Sequence, residues 1–332
     1  MLKTGFIGAG TTGTALAVRL SRNGWPVVGV YSRTPTSSQE LAGRVPNCRA
    51  YHTAQQLAEV AEMVFITTPD DVIAQVCSEV RWHRGQSVVH CSGAHSLDIL
   101  ESAKKLGVAV GSFHPLQTFA DVDQAVANLP GSTFALEARE PLLSTLKELA
   151  RLVDGNWVEL KPGDKVLYHA AAVFACNYLV TLVKLALDLW KDFGVPSEDA
   201  TRALLPLLRG TLNNIDSIGL PDCLTGPVAR GDLGTIERHL RVLADTNLSL
   251  LTTYRELGLQ TIPIALAKGK VNEQKAEEMR MLFGRSDFAH CHSEEAPVKS
   301  GRTKNLAGSK PRQGFSAEIS GCAQNDGKGG TK

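Results

Sequence analysis

The chain has 332 residues, 43% hydrophobic and 21% charged, with 35 Lys and Arg against 34 Asp and Glu. A net charge of +1 excludes the broad electrostatic attraction that brings proteins to nucleic acid or to acidic membranes. Seven scattered cysteines with no CxxC pair argue against a disulfide or zinc framework and for reduced thiols in a cytoplasmic protein.

The length suits about two domains. Lys3 runs into a strand pattern with no cleavage site, so no secretory leader is expected. In chain order, "KTGFIG", "PVVGVYS", "MVFITTP", "QSVVHCSG" and "VAVGSFHP" predict strands, with helical patterns over 11–23, 70–80 and 96–107. "GSTFALEA" and "NWVELK" are candidates for two more strands. Apolar strands separated by amphipathic helices predict a parallel sheet covered on both faces. After Lys161 the strand signals stop, and 163–193, 197–215, 232–257 and 271–283 read as helices. Gly194 ends the first and Ser197 opens the second. The fold class is therefore α/β: a doubly wound Rossmann sheet over 1–160, an all-α domain over 161–284, and a Gly/Ser/Lys-rich tail over 285–332 that reads as disordered.

The first strand-to-helix turn carries Gly8-x-Gly10-x-x-Gly13, with Thr11 and Thr12 between. Gly8 permits the tight turn, Gly10 lets a pyrophosphate approach the backbone, and Gly13 lets helix and strand pack closely. The phosphates would sit on the free N–H groups of the helix start. NAD binders usually carry a carboxylate after the second strand; here the chain reads Ser32-Arg33-Thr34. Arg33 suits a 2′-phosphate, so NADP is preferred to NAD, with a solvated loop charge as the alternative. Thr67, Thr68 and Pro69 close the strand "MVFITTP" and are expected beside the cofactor, as are Ser92 and Gly93. Asp70 or Asp71 is more simply a helix N-cap.

His114 is placed at a strand end facing the same crevice. "KVLYHAAAVFACNYLV", 165–180, reads as a buried helix that nonetheless carries Lys165, His169 and Asn177. On one continuous helix His169 lies about 40° and Asn177 about 120° from Lys165, so the three can face one cleft. There Lys165 can give a proton to a carbonyl oxygen while His169 and Asn177 orient the substrate. The alternative is a Lys165 that snorkels to solvent at the helix start. In "LTGPVARGD", Thr225, Gly226 and Arg230 are candidates for an anionic substrate, and Asp232 for a helix cap. "HCH" at 290–292 has no companion ligands, so no metal is expected.

The N-terminal half resembles the dinucleotide domain of 6-phosphogluconate dehydrogenase, pyrroline-5-carboxylate reductase and ketopantoate reductase. "GSFHPLQTF", "YHAAAVFACNYLV" and "LTGPVARGD" are similar to Rossmann-like proteins with a C-terminal helical domain of unknown function 2520. The resemblance spans 3–284. It implies an NADP-linked oxidoreductase, a homodimer through the helical half and a small-molecule substrate, with ketopantoate as the best single guess. Related two-domain folds use an F420-type deazaflavin, which ranks with NAD behind NADPH. Better-known relatives carry Lys-x-x-x-Asn on this helix; Lys165 matches the lysine, but His169 stands where the asparagine would be. The remaining readings are an imine reductase of the pyrroline-5-carboxylate type and an NADP-binding regulatory protein without turnover.

Overall fold

The computed structural model describes residues 1–285; nearly all of the expected tail, and the histidines at 290 and 292, lie outside them. Eight strands form one sheet: β1 (Thr4–Ile7), β2 (Val27–Tyr31), β3 (Arg49–Ala50), β4 (Met63–Ile66), β5 (Ser87–His90), β6 (Ala109–Leu116), β7 (Thr133–Ala138) and β8 (Asn156–Glu159). Their order is β3-β2-β1-β4-β5-β6-β7-β8. Every pairing is parallel except β6 with β7. The central strands β1, β4 and β5 are wholly buried, which explains their unbroken apolar runs.

Alternate residues feed two cores. On one face Phe6 stacks on Phe65 at 5.2 Å, Phe65 meets Phe113 edge-on at 5.8 Å, and Phe113 stacks on Phe134 at 4.4 Å. Burying each such ring stabilises the fold by roughly 1.5–3 kcal/mol. The other face begins apolar with Ile7, Ile66 and Val88. Its strand-end row then continues in register from Ile66 to His90, Ser112 and Glu137. One row thus changes from hydrocarbon to polar groups as it crosses the sheet.

The chain divides into two compact units, 1–210 and 211 onward, and the division falls within helix Ser197–Ile218. The first long helices stay with the sheet. In the second unit, Leu233–Thr246, Leu248–Ala267 and Glu273–Gly284 bury Ile236, Leu240, Ile262, Met279 and Phe283. The single helix expected over 232–257 is instead two. Asn247 is extended and its side chain accepts the Leu250 N–H, so it ends one helix by capping the next.

The helix expected over 163–193 is likewise two, Asp164–Ala175 and Asn177–Asp192, with Cys176 off helical geometry between them. It is also not a core helix. Lys165 is its one buried side chain, at 1% exposure, whereas Leu167 is 78% and Phe174 71% exposed. Val173, Leu179 and Leu182, expected to pack inward, are half-buried or exposed. By length and composition, the stretch Asp164–Asp192, taken across that break, is the one among the described residues able to cross a membrane.

Candidate active site

Helix Thr11–Arg22 starts at Gly10 with no side-chain cap and no acidic residue in its first turn. Its first N–H groups are therefore available to an anion. Gly8 has φ +110°, and a Cβ there would lie 2.7 Å from the Thr67 carbonyl. A Cβ on Gly13 would lie 2.4 Å from Thr67 Oγ1 and 2.6 Å from the Gly8 carbonyl oxygen. Thr67 explains both: its hydroxyl donates to the Gly8 carbonyl at 2.8 Å, closing the turn. At Gly10 a Cβ would meet nothing within 4 Å. Protein packing does not demand glycine there, and the open space leaves the backbone accessible to a ligand.

A cleft of about 630 Å³ opens above this turn, lined by Gly8, Gly10, Ser32, Arg33, Thr34, Thr67, Thr68 and Pro69. Thr11 and Thr12 are half-buried at the helix start, and Gly13 is buried beneath it. Thr68 Oγ1 is buried without a hydrogen-bond partner. The loop after β2 brings no carboxylate to the cleft, although Asp71 lines another wall. Open N–H groups, an open glycine, an orphaned hydroxyl and a guanidinium fit a phosphorylated dinucleotide.

Ser92 and Gly93 have other demands on them. Ser92 Oγ donates to Asp70 Oδ2 at 2.6 Å and accepts the N–H groups of Ala94 and His95. Asp70 is therefore not the helix cap expected from sequence. Pro69 holds the cap position, and the Asp70 carboxylate ties the β4 and β5 loops together. Gly93 lies beneath two imidazoles: a Cβ there would sit 2.7 Å from both His114 Nε2 and His169 Cδ2.

His114 lies near the end of β6, which antiparallel pairing with β7 carries on to Leu116. Past Ser112, β5 no longer pairs, so His114 projects beyond the parallel strands. Its Nδ1 is 2.8 Å from the Tyr168 hydroxyl, and its ring meets that of His169 edge-on at 6.3 Å. Lys165 enters from the helix above, and its Nζ donates to Ser112 Oγ.

Burial shapes the electrostatics here. It pulls the Lys165 ammonium down to about 8, against the favourable pull of Glu137, Cys91 and Asp70. Burial, reinforced by Lys165, holds His114 neutral to about 4 and His90 to about 3. It pushes the Tyr168 hydroxyl up to about 12 and raises Glu137 above the ordinary carboxylate range. Near neutral pH the group thus offers one ammonium, one phenol and neutral imidazoles, a set able to deliver a proton.

The structure brings Lys165, His169 and His114 together. Asn177 is exposed beyond the Cys176 break, and its side chain makes no hydrogen bond to them. Thr225 and Arg230 are exposed in the second unit, and Gly226, at φ +97°, precedes the short helix Pro227–Arg230. Asp232 caps the next helix as expected, accepting the Thr235 N–H at 3.0 Å. Sequence reading missed Ser112, Tyr168, His90 and Glu137. Ser112 sits two residues before His114, hence on its face of the strand, and Glu137 is a lone carboxylate in an apolar run.

Comparison with known families places two domains on this geometry. A Rossmann-like domain matches residues 1–115, and a domain of unknown function (DUF2520) matches 132–261. The chain therefore joins a Rossmann-like domain to a DUF2520 domain, in a fold shared with NADP-linked oxidoreductases. Among solved structures, a Bacteroides fragilis protein named as a candidate NADP oxidoreductase is 28% identical, with TM-score 0.61, covering 79% of this chain and 98% of its own. Protein TM1727 of Thermotoga maritima is 24% identical, with TM-score 0.66, covering 80% and 99%. Pyrroline carboxylate reductase of Plasmodium falciparum, solved with NADP bound, shares the fold at 14% identity and TM-score 0.53, covering 85% and 98%. No curated protein matches by sequence.

Proposed function

We propose that this chain is an NADPH-dependent oxidoreductase that reduces the carbonyl of a small carboxylate-bearing substrate, with ketopantoate the first compound to try. One observation carries the reading: a buried lysine is held where the parallel strands end, on the same sheet edge as the open glycine turn. The turn at Gly8, Gly10 and Gly13 and the start of helix Thr11–Arg22 would hold the pyrophosphate, and Arg33 the 2′-phosphate. Bound there, NADPH supplies the hydride. Lys165 gives its proton to the carbonyl oxygen as negative charge develops, and the neutral His114, held by Tyr168, orients the carbonyl. The carboxylate on the substrate rests on the resemblance to ketopantoate reductase.

The fold shared with the Plasmodium falciparum reductase favours a second reading, a cyclic imine as substrate. A protonated imine is repelled by the Lys165 ammonium, so this reading needs that ammonium discharged. Stopped-flow loss of NADPH absorbance separates the cases. Turnover of ketopantoate, failing above pH 8, supports the first; turnover of pyrroline-5-carboxylate but of no keto acid replaces it with the second. Tight NADPH binding with no turnover of either sinks both and leaves a regulatory module.

Arg33→Ala is expected to weaken NADPH by about 10–100-fold, the value of a charge-assisted hydrogen bond, and to leave NADH unchanged. Titration calorimetry with both cofactors checks this.

The exposed apolar face of Asp164–Asp192 belongs to the same proposal, as the contact of a homodimer in the cytoplasm. Sedimentation velocity should give twice the 35.6 kDa chain mass, and a Leu167→Glu, Phe174→Glu double variant should be monomeric. A wild-type monomer that binds lipid vesicles would overturn this.

A further inference from the structure

We propose that Glu137 is the positioning residue that keeps a charged Lys165 seated on Ser112. The inference deepens the reductase reading, on which its catalytic meaning rests, but the charge pairing is measurable without turnover.

The register supplies the geometry. Glu137 lies directly across from Ser112 in the β6–β7 pair, and Ser112 Oγ takes the Lys165 amine. Phe134, Ala135 and Leu136, which lead into Glu137, are all fully buried. Glu137 itself is 7% exposed, and its Oε2 has no hydrogen-bond partner. A carboxylate in such a strand costs free energy unless a positive charge answers it.

The other groups around Lys165 weigh less on its charge. From β5 and its loop come His90, held neutral, and Cys91, whose thiol burial pushes up to about 12. From β6 comes His114, also neutral. On the lysine's own helix, Tyr168 stays protonated and His169 stacks edge-on against His114. Asp70 is already engaged by the Ser92 hydroxyl. Glu137 exerts the largest of the pulls that favour the ammonium. Its own ionised form is opposed by burial and Asp98 and favoured by Lys165, Ser96 and the Leu97 backbone.

The test follows the lysine signal by NMR in the full chain, isotope-labelled at lysine Cε and assigned with Lys165→Met. In the wild type Lys165 should titrate near pH 8. In Glu137→Gln the midpoint should fall by about one unit, because an ammonium without its counter-charge sheds its proton more readily. Glu137→Asp should restore it. Turnover at pH 8 should fall about fivefold in Glu137→Gln, the loss of protonated fraction for a shift of that size. NADPH affinity should not change. An identical Lys165 titration in wild type and Glu137→Gln overturns the proposal. Should Glu137→Gln not fold, the Glu137 carboxyl signal decides: it must titrate higher in Lys165→Met than in the wild type, and no difference overturns the proposal. If the titrations shift while no carbonyl is reduced, the charge pairing stands and the reductase reading falls.

Discussion

Replacing Lys165 with methionine is expected to lower kcat by about 10²–10⁴-fold, the usual worth of a positioned proton donor. Methionine retains the aliphatic bulk and removes the charge. The wild-type profile of kcat/KM should be level at lower pH and fall as pH rises through about 8. The sign follows from burial: an ammonium out of water is disfavoured, so Lys165 loses its proton well below the ordinary lysine value of 10.5. Reduction requires the protonated form, hence the fall on the alkaline side. In Lys165→Met that limb should vanish along with most of the rate. NADPH affinity should hold within a few-fold, because Lys165 does not line the nucleotide cleft. A variant that turns over at the wild-type rate would remove the lysine from the mechanism.

The second large effect is at Gly8. Gly8→Ala should lower stability by about 3 kcal/mol, through a strained positive φ and a clash, and should weaken NADPH at least about 100-fold. The atoms that a Cβ would strike are the backbone carbon and oxygen of Thr67, which cannot rotate away. Relief requires moving β1 from β4, the pair on which the sheet is built. At roughly 2–4 °C per kcal/mol for a unit of this size, the melting temperature should fall about 6–12 °C. Gly10→Ala is the control. Its Cβ meets open space, so the melting temperature should stay while NADPH affinity drops. Calorimetry and thermal unfolding on both variants test this; equal cofactor affinity in Gly10→Ala and wild type would show that the ligand does not approach there.

The sheet was legible in the sequence because its strands are buried on both faces and read as unbroken apolar runs. β7 was recognisable for the same reason, and the glycine turn because its spacing answers local sterics; β8, largely exposed, showed only a short Trp-Val pattern. What escaped was long-range. The antiparallel pairing of β6 with β7 joins residues some twenty positions apart, and no local pattern shows it. Glu137 faces Ser112 only through that register. The helix from Asp164 was misread because hydrophobic content was taken for burial. Its Leu167 and Phe174 are exposed, and its Lys165 is the residue that goes inside. Asn177 shared a face with Lys165 only on an unbroken helix, and Cys176 breaks it.

That inversion has a bearing on regulation. A helix that carries its ammonium inward and Leu167 and Phe174 outward would, in the proposed dimer, link assembly to chemistry. Whatever blankets the outer surface also clamps the backbone from which the proton donor hangs. Turnover in the proposed dimer should then depend on concentration: on dilution past the point where the blanket detaches, specific activity should decline in step, with the pocket's composition unchanged.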